Sequence, residues 1–212
     1  MAKVDHHVHT SRHSPDSVIE PAELVRRARA VGLDAVVITE HDHQWSPAEL
    51  AELNSRSEGL VVLSGVEVSA REGHFLVYGL PDLSGVEPGI GLKDLLAAVR
   101  RHEGAIVAAH PFRWEQDFPA LIAQHGPVFD GVELVSNNVT PETRRQTERA
   151  LRATPMAATG SSDGHAPDAV GCYYSEFPGP IRTMGDFVLA LRRGESRPRH
   201  NPGRWQAAGP VD

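Results

Sequence analysis

In Lys3-Val4-Asp5-His6-His7-Val8-His9, three side chains able to bind a cation, Asp5, His7 and His9, alternate along one apolar run. The two-residue period of a strand puts them on one face, where the imidazoles of His7 and His9 can chelate a single ion. Six histidines and three carboxylates in all fall at, or a few residues past, the ends of successive short apolar runs. The later runs close on His41, Glu67, His110 and the pair Asp163-x-His165. Cys172 is the single cysteine, so there is no thiolate cluster and no intrachain disulfide, and metal binding must use imidazole and carboxylate. That donor set suits zinc, manganese or iron, and the chemistry it supports is metal-dependent hydrolysis.

Strand-like runs must bring these ends together, and helical patterns recur between them, as in βα units. Residues 21–32 read as a helix, with Pro21 in the first turn, an apolar stripe of Leu24, Ala28 and Val31, and Gly32 at the end. Ala35 to Thr39 is a buried strand delivering Glu40-His41-Asp42-His43, and Ser46-Pro47-Ala48-Glu49 is a capping box that opens a second helix. Leu60 to Val68 is a third strand with Glu67 near its end. A two-residue turn at Arg71-Glu72 would set Ser69 opposite His74 and so place His74 on the Glu67 face. Further strands are predicted at 105–109, before His110, and at 132–135, with helices at 92–101, from Thr140-Pro141 toward Leu151, and at 184–193. These make six or seven βα-like units in one domain, residues 1–195. The segment 196–212, rich in Pro, Gly and Arg, has no periodicity and is expected to lack regular structure in part.

The 212 residues with 40% hydrophobic content suit one compact core. No run is long and apolar enough to span a bilayer, and the first residues lack the apolar middle of a signal peptide, so a cytoplasmic enzyme is expected. The formal net charge of −7 argues against long nucleic acid as a partner.

Taken together, Asp5-x-His7-x-His9, Thr39-Glu40-His41-Asp42, Gly65-Val66-Glu67-Val68-Ser69, Gly73-His74, His110-Pro111-Phe112 and Ser162-Asp163-Gly164-His165 resemble the motifs of the polymerase and histidinol phosphatase (PHP) family. The resemblance runs from the start of the chain to about residue 171. It implies an α/β fold, a distorted (β/α)7 barrel, with two or three divalent metal ions (Mn, Fe or Zn). Carried over residue by residue, it implies His7, His9, Glu67 and Asp163 around one ion. Glu67, His74 and His110 would hold a second, and Asp16, His41 and His165 a third. His13 is a rival for the place of Asp16, whose distance beyond His9 favours it. Two departures stand out: His6 replaces a usually apolar residue, and Glu40 stands where aspartate is commoner. Both alternate away from the site if the strands are regular.

The implied activity is hydrolysis of a small phosphate ester, a phosphomonoester or nucleotide, by attack of a metal-bridging hydroxide. Arg113, one residue past His110-Pro111-Phe112, is placed to clasp phosphate, and Asp42 to assist protonation of the leaving group or to orient a ligand. Asp5 is read as orienting a ligand imidazole; His43 and Asn137, with Glu133 and Asn138, are candidate substrate contacts. A histidinol-phosphatase-like enzyme, a short-oligonucleotide exonuclease and an amidohydrolase acting on C–N bonds are the alternatives. The last commonly bridges its ions with a carboxylated lysine, and neither Lys3 nor Lys93 stands at a strand end.

Overall fold

A computed structural model of the chain describes residues 1–204, 207 and 209. The elements run β1 (Ala2–Val8), α1 (Pro21–Ala30), β2 (Ala35–Ile38), α2 (Pro47–Ser55), β3 (Val61–Ser64), β4 (Val66–Ala70), β5 (Gly73–Tyr78), α3 (Leu92–Arg101) and β6 (Ala105–Ala108). They continue with α4 (Phe118–His125), β7 (Gly131–Val135), α5 (Pro141–Ala153), β8 (Ala158–Gly160), β9 (Tyr173–Phe177), α6 (Met184–Arg192) and β10 (Arg197–His200). The strands form two five-stranded sheets, ordered β10-β9-β1-β2-β3 and β4-β5-β6-β7-β8. The fold is mixed α/β, but the ladder is not one ring of parallel strands. Only β1-β2-β3 and β6-β7-β8 are parallel, whereas β4-β5-β6 and β1-β9-β10 are antiparallel.

Hydrophobic burial explains the layering. Val4, Val37, Leu76, Tyr78, Val107 and Phe177 come from both sheets and pack in one core with Phe187 and Leu191 of α6. The outer face of the first sheet is covered by α1 and α2 through Leu24, Val25, Ala28 and Leu53. The outer face of the second is covered by α3 and α4 through Leu92, Leu95, Val99, Phe118 and Leu121.

The single strand expected at 60–68 is two strands in different sheets. The break is Gly65, where a Cβ would lie 2.6 Å from the Tyr78 ring and 2.7 Å from the Val77 carbonyl oxygen. Without a side chain there the backbone can press against β5 and swing from β2 to a new partner. The hairpin register is as the sequence predicts, with Ser69 opposite His74 and Ala70 opposite Gly73. The capping box at α2 is also present in both its arms.

A β-bulge breaks the alternation expected along β1. Asp5 and Val8, three residues apart, pair with Val36 and Ile38, two apart, so β1 carries one extra residue. His6 turns away from the cluster, as expected, and packs in the core against Tyr78 and Phe187, while His7 turns to the site. Residues 197–200, expected to be irregular, form β10 against β9. The sequence pattern also gave no hint of α4, which Asp117 caps through the Ala120 amide at 3.0 Å, or of β9. Among the described residues no helix is long and apolar enough to cross a membrane.

Candidate metal centre

The cluster assembles where the two sheets meet. Backbone bonds from Gly65 to Ile38 (2.9 Å), from Glu67 to Glu40 (3.0 Å) and from Asp42 to Glu67 (2.9 Å) lay the start of β4 along the end of β2. On the other side the Asp163 amide donates to the His7 carbonyl at 2.7 Å and the His9 amide to that of Gly164 at 3.0 Å. All nine predicted ligand residues are thereby brought together.

Glu67, fully buried on β4, is the centre of the arrangement. Its Oε2 lies 3.3 Å from His7 Nε2, 3.3 Å from His9 Nε2 and 3.1 Å from His41 Nδ1. Its Oε1 lies 2.8 Å from His74 Nδ1 and 2.9 Å from His110 Nε2. Asp163 Oδ1 is 3.3 Å from His7 Nε2 and 3.5 Å from His9 Nε2. Asp16, half exposed at the mouth, places Oδ2 3.1 Å from His41 Nε2 and 3.2 Å from His165 Nε2. His13 lies elsewhere: it pairs with Glu49 at 3.1 Å and stacks on His43, ring centroids 3.9 Å apart.

Three buried atoms at the centre, His7 Nε2, His9 Nε2 and Glu67 Oε2, have no hydrogen-bond partner. Buried polar atoms are rarely left so, because each forfeits its bond to water. His7, His9 and Asp163 offer donor atoms within 4.8 Å of one another, and so do His7, Glu67 and His110, so divalent cations shared between these groups would satisfy the three atoms, and the donor chemistry fits such ions. Charge tells the same story. Burial opposes ionisation of Glu67, yet His7, His110 and His41 hold it well below the usual carboxylate range. Burial likewise opposes charge on Asp163, and His7, His9 and His110 outweigh it, so its pKa is lowered. Burial disfavours charge on His9 too, but Asp163 and Glu67 raise its pKa to about 9. His7 is pushed well above its ordinary value against burial by Asp163, Glu67 and Glu133. The carboxylates stay ionised and draw in positive charge, as protons when no metal is bound.

Two further buried carboxylates orient the β1 imidazoles. Glu133 on β7, read from sequence as a substrate contact, lies 3.0 Å from His7 Nδ1 through Oε1 and accepts from the His110 amide at 2.7 Å through Oε2. Ser161 and Ser136 also donate to it, at 2.5 and 3.1 Å. Glu40, expected to face outward, does turn from the cluster but is fully buried. It accepts from the Thr10 amide (3.0 Å), Thr10 Oγ1 (2.5 Å), Ser14 Oγ (2.6 Å) and Trp45 Nε1 (2.9 Å). Ser14 Oγ is thus free to accept from His9 Nδ1 at 3.3 Å. With the Nδ1 protons so engaged, both rings present Nε2 to the same point.

Other predicted residues are placed differently. Asp5 does not touch an imidazole; its carboxylate accepts from the Ser162 and Gly171 amides at 2.8 and 2.9 Å, tying down the loop that carries Asp163. Asp42 accepts from the Ser69 amide at 2.7 Å and so fastens the end of β2 to β4. The Asn137 side chain meets Cys172, whereas Asn138 donates to Asp163 Oδ2 at 2.5 Å. Cys172 is buried, and burial above all pushes its thiol up to about 12, which removes it as a nucleophile. Arg113 stands beside His74 and His110 in a cavity of about 300 Å³. Missed from sequence were Ser14, a loop serine with no motif, and Trp114, which also lines that cavity.

Comparison with known proteins bears on the fold. Residues 141–196 match the family model described as PHP-associated. A two-domain protein from Bacteroides vulgatus, described as containing a predicted PHP-like metal-dependent phosphoesterase, superposes with a TM-score of 0.73 at 20% identity, covering 94% of this chain and 65% of that one. An uncharacterised protein of Methanocaldococcus jannaschii is 27% identical over 119 residues, 52% of this chain and 68% of the relative. A 5'-3' exoribonuclease of Haemophilus influenzae is 34% identical over 67 residues, 32% of this chain and 23% of the enzyme. The chain therefore spans less than two thirds of the two-domain protein and about a quarter of the exoribonuclease. Fold and site together define an α/β protein built around a histidine–carboxylate centre. Residues 141–196 carry the PHP-associated match, and the chain as a whole shares its fold with a protein containing a predicted PHP-like phosphoesterase.

Proposed function

We propose that the chain is a metal-dependent phosphoesterase that hydrolyses a small phosphate ester, a phosphomonoester or nucleotide. The observation that carries this is the convergence of three unpartnered buried atoms, His7 Nε2, His9 Nε2 and Glu67 Oε2. In this reading the two sheets are halves of a distorted (β/α)7 barrel. His7, His9, Glu67 and Asp163 hold one ion, Glu67, His74 and His110 a second, and Asp16, His41 and His165 a third, with manganese, iron and zinc as candidates. Bound divalent cations supply Lewis acidity and neutralise charge on the phosphoryl group.

The chain's own residues do the rest. Glu133 and Ser14 fix the tautomers of His7 and His9, so that their lone pairs face inward. Asn138 restrains Asp163 through its amide. Arg113 offers a forked donor to phosphate oxygens at the rim, next to His74 and His110. Asp16 lies at the open side, where substrate arrives. Asp42 and His43 follow His41 on the same loop, where Asp42 ties β2 to β4 and His43 stacks on His13, so any part they take in protonating a leaving group is tested by their variants.

The net charge of −7 supports a small phosphorylated substrate over long nucleic acid, and a cytoplasmic setting is consistent with the single buried cysteine. The local similarity to an exoribonuclease keeps short oligonucleotides among the substrates to be assayed. The test is a panel of phosphate esters and a p-nitroanilide, assayed after metal reconstitution with the ions counted by elemental analysis. Phosphate release that appears with metal and disappears on chelation is expected. Full activity in a sample stripped of transition metals, or turnover of the anilide alone, would overturn the reading.

A further inference from the structure

The segment after β6 carries a side chain that the metal chemistry leaves unused. Trp114 is 64% exposed, the only aromatic among the exposed large hydrophobic residues described. Its backbone lies in the left-handed region at φ 50, ψ 40, which a bulky residue adopts only where its surroundings hold it. The indole is not set on open surface. Its centroid is 4.7 Å from that of His74 and 5.7 Å from that of His110, at the second-ion end of the cluster.

Arg113 lays its guanidinium 4.0 Å from the same indole centroid, and both residues line the cavity of about 300 Å³ that opens on those two histidines. Arg71 lines it as well. Neither arginine is paired with a carboxylate among the described residues. A planar cation stacked on an exposed indole, beside a phosphate-binding centre, is a surface suited to a flat, electron-rich ring that arrives attached to phosphate. An aliphatic alcohol would gain little from it.

Resting on the phosphoesterase reading above, we propose that Trp114 is the stacking platform for a heteroaromatic base one sugar removed from the phosphorus. Nucleoside monophosphates are then preferred over sugar and polyol phosphates. Trp114 acts as a specificity residue, with Arg113 both clasping phosphate and stiffening the indole.

The test uses the full chain reconstituted with manganese and compares adenosine 5'-monophosphate with ribose 5-phosphate, which lacks only the base. Stacking on an aromatic side chain predicts a kcat/KM ratio of roughly 5- to 150-fold in favour of the nucleotide. Trp114→Ala should bring that ratio close to one, mainly through KM, and Trp114→Phe should keep most of it. Independently, the nucleotide should quench a component of tryptophan fluorescence that is missing in Trp114→Phe, and ribose 5-phosphate should not. A wild-type ratio near one, or a ratio that Trp114→Ala leaves intact, would overturn the platform while leaving the phosphoesterase standing. Where neither compound is turned over, quenching by the nucleotide that Trp114→Phe abolishes supports the platform and its absence overturns it, while the phosphoesterase reading is judged on the wider panel of esters.

Discussion

The two sheets supply the same centre by different means. In the first sheet, ligands come from parallel strands at or just past their C-terminal ends: His7 and His9 from β1, His41 after β2. In the second, His110 and Asp163 likewise follow parallel strands, β6 and β8, but an antiparallel hairpin adds Glu67 on β4 and His74 on β5, which share a face 2.8 Å apart with His74 opposite Ser69. Their supports differ too. Glu133 on the second sheet touches His7 directly and the His110 amide as well, whereas Glu40 reaches His9 only through Ser14. A direct carboxylate–imidazole contact fixes a ring more firmly than a relay through a hydroxyl, so of the two imidazoles from β1 His7, held from the second sheet, is the more tightly fixed.

The comparison can be broken most severely at Glu67, whose two oxygens meet imidazoles from both halves. Glu67→Gln should cost about 10³-fold or more in kcat and lower metal content at more than one position, read by kinetics and elemental analysis. Loss of a single ion with activity retained would contradict the sharing. Next in size are the supports. Glu133→Gln should weaken metal affinity about 10- to 100-fold, and Glu40→Gln less, measured by competition with a chromogenic chelator. Equal losses would erase the distinction drawn between direct and relayed orientation.

Gly65→Ala should destabilise the protein by about 1–3 kcal/mol, because the added methyl meets the Tyr78 ring and the Val77 carbonyl; thermal unfolding reads it. The smallest effect separates the candidates for the third ligand group: Asp16→Asn should reduce occupancy of that group alone, while His13→Asn should leave metal content unchanged.

pH provides a further measurement on the metal-free protein. His9 is raised from 6.5 to about 9 on folding, so its contribution to stability is complete below about 6.5 and is lost as pH rises through 9. Glu67 is lowered from 4.5, so its contribution is present above that value and lost on acidification. Both describe one cluster, and together they predict a stability maximum between roughly pH 5 and 7 without metal. Loading metal at pH 7 should release protons, seen as buffer-dependent heats in calorimetry. Heats independent of the buffer would contradict protonation of His7 and His9 in the apo state.

How much of this was legible in the sequence follows the same division. Ligands at strand ends are announced by apolar runs followed by His or Asp, and the Arg71-Glu72 turn was enough to put His74 opposite Ser69. What was hidden depends on one-residue irregularities. The extra residue in β1 turns Asp5 away from the ligands, and no period-two pattern contains it. The split at Gly65 is invisible because the apolar residues 60–63, 66 and 68 flank it on both sides, a pattern that one buried strand and two strands in different sheets satisfy equally. Glu40 and Glu133 look like surface acids in a sequence; only burial shows them as supports.

Glu67 turns one oxygen toward His74 and His110 and the other toward His7, His9 and His41. A carboxylate divided in this way cannot serve one group of imidazoles without altering the charge the other group sees. Metal occupancies in the two groups should accordingly be coupled, so that a titration departs from the curve for independent sites.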